Sequence, residues 1–334
     1  MNRIIRFIPL LFVLVAFVGC NKDVESVGGD ETVTLTLNVN TSDSGSRAEA
    51  RYIDASPYEG IRTLRVLVTD RAMTEIYYNE ITTVVENPDN ITSSTQECTI
   101  TIPDVPVGEV SFYVIANEES IGEKYTVEEI LSNVENKKLK YIDEANPKYF
   151  PKKGPEIKEL GLPMSGKTME NITKETKSVS VVLERAVTKI ALTIENATSS
   201  TITLQDVIFG PFFGDRFYVF PEVELDVPED AQYSSLSYEN VGFKVDPNST
   251  SPSLSLYLYP TYSWKPEMPT SPYTLSLVTD NYTYQSQVFA PGVNSFRRNK
   301  QVNIRARITT TVGMKIDYAV QAWDDYTVNV PDFE

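Results

Sequence analysis

No histidine occurs anywhere in the 334 residues. That excludes His-based catalytic triads and His-ligated zinc or haem, and it removes the commonest acid–base side chain. Cysteine is nearly absent as well, standing only at Cys20 and Cys98. With Cys20 assigned below to a lipid, Cys98 has no partner within the chain, so stability must come from apolar cores rather than disulfides. Cys98, in Glu97-Cys98-Thr99-Ile100, reads as a small buried strand residue rather than a reactive thiol. Basic clusters are missing too: 30 Lys and Arg face 46 Asp and Glu, a net charge of −16. A sequence pI near 4.6 argues against nucleic acid as a partner, because phosphate backbones call for concentrated Lys and Arg.

What is present begins with a targeting segment. Arg3 and Arg6 precede an apolar run from Ile8 to Val18, which ends in Gly19-Cys20. A run of about ten apolar residues is half of what a spanning helix needs, so residues 1–19 read as a secretory signal peptide. Gly19 before Cys20 resembles the lipobox of bacterial lipoproteins, in which a peptidase cuts before the cysteine and the thiol is acylated. Asp23 and Glu25 resemble the acidic residues that follow the lipid cysteine in surface-exported lipoproteins.

Directly after it, Thr32 to Asn40 places Val33, Leu35, Leu37 and Val39 on one face and only Thr and Asn on the other. Strict period-two alternation predicts a half-buried β-strand. The following Thr41-Ser42-Asp43-Ser44-Gly45-Ser46-Arg47-Ala48 is small and polar, an accessible loop in which Arg47 is within reach of a trypsin-like protease. Taken alone, this stretch reads as a plain flexible loop with an incidental arginine rather than a processing site.

Strand patterns dominate the remainder. Ile61–Val68, Glu75–Tyr78, Glu97–Ile102, Glu109–Ala116, Ser178–Leu183 and Val187–Ile194 are short, β-branched or aromatic, and bounded by Pro, Gly, Asn or Asp. Further strands are expected at Ile202–Phe209, Arg216–Phe220, Ser253–Tyr259, Tyr273–Val278, Tyr282–Phe289, Gln301–Thr309 and Lys315–Val330. A helix is expected over Thr126–Asn133, with Thr126 as N-cap and Glu129 completing a capping box. The lysine-rich, proline-punctuated 135–158 reads as a solvated connection. The fold class is mainly β: two Greek-key-like β-sandwich domains in tandem with one or two short helices. The expected organisation is a signal peptide at 1–19, a propeptide at 20–47, an N-terminal domain at 48–185 and a C-terminal domain at 186–334.

Motifs with chemical meaning are few. Gly161-Leu162-Pro163-Met164-Ser165-Gly166-Lys167-Thr168 matches the phosphate-loop pattern G-x-x-x-x-G-K-[ST]. That loop works only between a buried parallel strand and a helix N-terminus, and neither is indicated here. Asp324-Asp325 after Trp323 is a solvated turn before it is a calcium site. Nothing nominates a carboxylate pair for glycoside hydrolysis, so no enzyme activity, metal or cofactor is expected. Tyr257, Tyr259, Tyr262 and Trp264 would form a glycan-binding platform if exposed together, although most of the 19 tyrosines suit pleated surfaces and cores.

Cys20 in its lipobox, Ser46-Arg47-Ala48, Phe112-Tyr113-Val114-Ile115-Ala116-Asn117, Leu162-Pro163-Met164-Ser165-Gly166, Leu183-Glu184-Arg185-Ala186-Val187-Thr188-Lys189-Ile190, Phe296-Arg297-Arg298-Asn299 and Tyr318-Ala319-Val320-Gln321-Ala322-Trp323 stand in this order along the chain. Together these segments resemble the fimbrillins, the type V pilins of Bacteroidales. Thr188 departs from the commoner Ala-Lys-Ile form. The resemblance accounts for the phosphate-loop match as the family's Pro-Met-Ser-Gly turn. It covers nearly the whole chain and does not separate shaft, anchor and tip subunits.

The resemblance implies a lipidated precursor that reaches the outer membrane, is cut by an arginine-specific protease after Arg47, or after Arg51, and loses the strand Val33–Val39 with its lipid. The mature chain, beginning at Ala48, then polymerises with other fimbrial subunits by accepting a neighbour's strand, and the fimbrium supports adhesion to a host or bacterial receptor. The candidate donor carries Ile316, Tyr318, Val320, Ala322 and Trp323, resuming at Tyr326, Val328 and Val330; the plain alternative is the last strand of the second domain. Head-to-tail donation does not close, so it yields a filament. The alternatives are an anchor or tip subunit retained by its lipid, or a monomeric glycan-binding surface lipoprotein.

Overall fold

The computed structural model describes residues 31–41, 59–84, 97–120, 160–214, 218–220, 233–258, 260, 274–288, 296–309 and 314–322. Strands dominate these residues, and helical structure among them is confined to a short 3-10 turn, Glu118–Ser120, and the single residue Leu160. The expected helix at Thr126–Asn133 lies outside the described residues.

Residues up to Arg185 supply seven strands: β1 (Thr32–Thr41), β2 (Thr63–Asp70), β3 (Ile76–Thr83), β4 (Glu97–Pro106), β5 (Gly108–Ala116), β6 (Met164–Ile172) and β7 (Ser178–Arg185). They connect in the order β3-β2-β5-β6-β7-β1-β4. β6 meets β7 at only two register pairs, Met164 with Arg185 and Ser165 with Glu184. Past that corner the two strands part, and β3-β2-β5-β6 lies over β7-β1-β4 with one core between them. Leu35, Leu37, Val39, Leu64, Val66, Val68, Phe112, Val114, Val179, Val181 and Leu183 fill that core. This is a β-sandwich, as the alternating strand patterns predict.

Ten further strands follow: β8 (Thr188–Asn196), β9 (Ile202–Gly214), β10 (Tyr233–Tyr238), β11 (Phe243–Val245), β12 (Ser249–Thr250), β13 (Leu254–Leu258), β14 (Thr274–Thr279), β15 (Thr283–Val288), β16 (Lys300–Ile308) and β17 (Met314–Ala322). One sheet runs β10-β9-β14-β15 with β11 beside β9, and another runs β12-β8-β16-β17 with β13 beside β8. β8 shows why the chain folds this way: Thr188, Ile190, Leu192, Ile194 and Asn196 are buried in strict alternation with less buried residues. Leu67, Ile115 and Leu162, on strands or loops of the first half, join the core of the second.

Two expectations need correction. Arg216–Phe220 is not a strand where it is described: residues 218–220 are irregular, and Val219 and Phe220 are buried as loop anchors, with Phe220 edge-on to Tyr113 at 5.3 Å. The Pro-Met-Ser-Gly segment is not a turn but the start of β6. Its glycine serves a close approach, since a Cβ on Gly166 would sit 2.1 Å from the Val182 carbonyl oxygen. Gly161 has φ +79, and a Cβ there would meet the Asn117 amide at 2.5 Å. Both glycines of the phosphate-loop match are therefore used by the fold, which explains the pattern without a nucleotide.

The β2–β3 turn is closed by one side chain. Asp70 Oδ1 accepts from the Thr74 and Glu75 amides at 2.6 and 2.7 Å, and Oδ2 from the Thr74 hydroxyl and the Ala72 amide at 2.9 and 3.2 Å. The Glu75 amide, then the Thr74 hydroxyl and the Thr74 and Ala72 amides, hold this carboxyl below the ordinary carboxylate range. A depressed folded-state pKa stabilises the turn at pH values above the unfolded value, and that contribution is lost as pH falls through the folded one. Acidification is therefore expected to speed amide exchange at Thr74 and Glu75 before it does so at Phe112 in the core, as read by hydrogen exchange corrected for the intrinsic pH dependence.

Candidate functional site

β1 is the element on which the functional expectations converge. It is an interior strand, antiparallel to β4, with Leu37 opposite Ile100 and Val39 opposite Cys98, and parallel to β7, with Leu37 opposite Val179 and Thr41 opposite Leu183. A shift in register between Val33 and Leu35 marks a bulge against β4. Leu35, Leu37 and Val39 are buried, and Val33 packs partly against the same core. Thr41 closes the row as a buried polar side chain. Burying each large aliphatic is worth about 1.5–3 kcal/mol, against a net domain stability of about 5–15 kcal/mol. Taking β1 out would leave two unpaired strand edges, on β4 and β7, above an apolar slot.

Cys98 occupies the edge of that slot on β4 and is half-buried. Burial pushes its thiol upward, so it remains protonated at neutral pH and is a poor nucleophile.

Of the other expected residues, Gly19, Cys20, Arg47, Ala48 and Arg51 lie outside the described residues. Ile316, Tyr318, Val320 and Ala322 all fall on β17, at the edge of its sheet, and each is in register with a residue of β16, from Ile316 opposite Ala306 to Ala322 opposite Lys300. Ile316 packs partly on the core and Val320 is half exposed. Trp323, Tyr326, Val328 and Val330 lie outside the described residues, as do Asp324, Asp325, Tyr259, Tyr262 and Trp264. Tyr257 is buried, with its hydroxyl donating to Glu59 Oε1 at 3.1 Å, so it is not part of an exposed glycan platform. No cluster of three or more metal-ligating side chains occurs among the described residues.

The structure also reveals a polar junction that no single stretch of sequence exposes. Arg298 is buried, and its guanidinium donates to the carbonyls of Val219 and Glu184 at 2.9 and 2.7 Å and to Ser165 Oγ at 2.9 Å. Ser165 Oγ donates in turn to the Val219 carbonyl. Beside it, Asn299 adopts φ 56, its amide donates to the Val187 carbonyl at 2.9 Å, and its Oδ1 accepts from the Arg185 amide at 3.3 Å. Phe296-Arg297-Arg298-Asn299 thus fastens the β6–β7 corner to the segment carrying Val219 and to the start of β8.

A second tie runs from Glu59, which is buried and receives Lys189 Nζ at 2.7 Å as well as the Tyr257 hydroxyl. Asn117 completes it. Its Oδ1 accepts from the Arg62 amide at 2.7 Å, and its Nδ2 donates to the carbonyls of Gly60 and Leu162 at 2.9 and 2.7 Å. Arg65 on β2 and Glu118 form a buried two-pronged ion pair at 2.6 and 3.2 Å. The Asn117 and Arg298 segments were visible in the sequence only as motifs of a resemblance.

No protein-family model matches the chain, and neither does any curated protein sequence. Solved structures do match. The tip fimbrial protein Mfa3 of Porphyromonas gingivalis, solved with a C-terminal truncation, superposes with a TM-score of 0.56 at 15% identity, over 88% of this chain and 100% of that one. A fimbrial assembly protein of Parabacteroides distasonis gives a TM-score of 0.50 at 15% identity, over 87% of this chain and 96% of that one. The chain shares the layered β fold of these two proteins.

Proposed function

We propose that the chain is the precursor of a structural subunit of a cell-surface fimbrium, delivered as a lipoprotein on Cys20 and matured by an arginine-specific cut after Arg47 or Arg51. The observation that carries this reading is the position of β1. A strand at the very start of the exported chain sits in the interior of a sheet, between β7 and β4, and supplies three fully buried aliphatic side chains. Its departure with the lipid would open a slot with two unsatisfied edges, a template for a strand from another chain. In this scheme the sheets built from residues up to Arg185 and from Thr188 onward are two tandem domains, 48–185 and 186–334. A C-terminal stretch drawn from residues 316–330 is the donor, and the mature protein serves adhesion. The folded body needs no cofactor for this.

Incubating purified precursor with an arginine-specific protease is expected to release a fragment ending at Arg47 or Arg51 and to produce filaments visible by electron microscopy. Deleting residues 316–334 is expected to abolish them. Cleavage without filaments, or filaments that survive the deletion, would remove the shaft reading. The fold shared with a tip fimbrial protein favours one second reading, a subunit that ends the polymer and uses only one of its two ends. Such a subunit caps growing fimbriae when added to shaft material and forms no filaments alone. A membrane anchor would retain residues 20–47, which N-terminal sequencing of native material would detect.

A further inference from the structure

The described arginines are protected in distinct ways. Arg62, Arg65, Arg185 and Arg298 are buried. Arg305 and Arg307 have exposed side chains, but their backbone lies in β16, bonded to β8 on one side and β17 on the other. Arg297 is exposed, with its carbonyl held by the Thr188 hydroxyl at 2.7 Å, next to the locked Arg298. Arg71 is different. Its side chain is 65% exposed, pairs with Glu109 at 2.9 Å on the protein surface, and stands at the tip of the β2–β3 hairpin. Exposed hairpin tips are where proteases nick folded chains most readily.

We propose that Asp70 shields the Arg71–Ala72 peptide bond from the protease that matures this chain, so that the folded body presents no competing cut at this tip. The inference rests on the reading that an arginine-specific protease releases β1. A protease must draw the residues flanking the scissile bond into an extended strand, and here they are curled around one carboxylate. The amide on the leaving side of the bond, that of Ala72, donates to Asp70 Oδ2, and the next amides at Thr74 and Glu75 donate to Oδ1. The Met73 amide donates to the Asp70 carbonyl and the Asp70 amide to the Glu75 carbonyl, both at 3.1 Å. Met73 sits at φ 57, the opposite of an extended conformation. Cleavage therefore has to wait for the turn to open, and its rate follows the population of the opened turn.

The reaction is hydrolysis: water adds across the Arg71–Ala72 amide, the C–N bond breaks, and a new carboxylate at Arg71 and a new ammonium at Ala72 are left. The test treats full-length precursor with an arginine-specific endoprotease and follows intact mass and N-terminal sequences over time. The wild-type chain is expected to yield no fragment beginning at Ala72 while the folded body persists. D70A is expected to yield that fragment on the order of tenfold faster or more, because the opened turn gains population when its acceptor is lost. D70N, which keeps one side-chain oxygen, is expected to fall between the two, and D70A/R71K to lose the Ala72 fragment again. A wild-type chain cut at Arg71 as fast as D70A, or a folded D70A and D70N that both resist there, would overturn the proposal. If D70A unfolds, cuts at Arg62 and Arg65 reveal it, and the folded D70N then decides. Release of the segment before Arg47 or Arg51 is read in the same experiment, so failure of the maturation reading is seen separately from failure of the shielding.

Discussion

Leu37→Ala in the intact precursor is expected to lower stability by about 2–5 kcal/mol, and to leave unchanged the stability of cleaved subunit separated from its released peptide. Leu37 is fully buried at the middle of β1, with β4 and β7 bonded along either side. Truncation loses the transfer energy of the removed methyl groups and leaves a cavity that two flanking strands cannot close without giving up ladder bonds. Asn38, on the other face of the same strand, is only half-buried, and Asn38→Ala serves as the control that changes little. Urea denaturation before and after cleavage measures both states. An equal loss in precursor and separated subunit would mean that β1 stays with the mature chain, and the maturation scheme would fall with it.

Arg298→Met is expected to be comparably damaging, at about 3–5 kcal/mol, because it removes the partner of several buried oxygens at once. The Val219 and Glu184 carbonyls and the Ser165 hydroxyl would each lose a charged donor, those of Val219 and Ser165 at buried positions. Methionine is about the right length, so the loss reports on the polar ties rather than on volume. Lysine keeps the charge but lacks the planar fork that reaches several acceptors together, and Arg298→Lys is expected to restore little. Chemical denaturation gives the magnitude, and hydrogen exchange at the Ala186 amide, which donates to the Pro163 carbonyl at 2.8 Å beside this corner, localises it. A variant within about 1 kcal/mol of wild type would show that the ties are replaced by water at little cost.

Much of the architecture was legible because it follows from period-two patterning. β1 and β8 alternate so strictly that both their existence and their buried faces could be read from the sequence. β6 escaped notice because its middle carries Gly166, Lys167 and Glu170 and its start coincides with the phosphate-loop pattern. The strand is specified by its neighbours, with β5 paired along its whole length, rather than by its own composition. β10 and β12 are short and mostly polar and β11 is only three residues long, and they exist because β9 and β8 offer edges to pair with. Arg216–Phe220 has the aromatic composition of a strand, yet Val219 and Phe220 are used as plugs and their backbone is claimed by Arg298. The junction ties were illegible for a different reason. Glu59 meets Lys189 and Tyr257, and Arg298 meets Ser165, partners so far apart in sequence that no local pattern encodes them.

The parallel pairing of β1 with β7 has a consequence for the order in which the precursor is built. A parallel neighbour cannot be reached by a hairpin, so β1, the first strand among the described residues, has no partner until β4 and then β7 have followed it in the chain. Contacts of such long sequence separation form slowly, since the chain between them must be closed into a loop before any pairing is gained. The strand that comes first among the described residues is therefore among the last to be seated. Until it is, the folding chain carries an open slot between β4 and β7, and in the proposed scheme this is the slot that the cut would recreate. If Cys20 carries the proposed lipid, tethering the first strand to a membrane would space such half-finished chains apart and keep each strand close to its own slot, turning a search between molecules into one within a molecule.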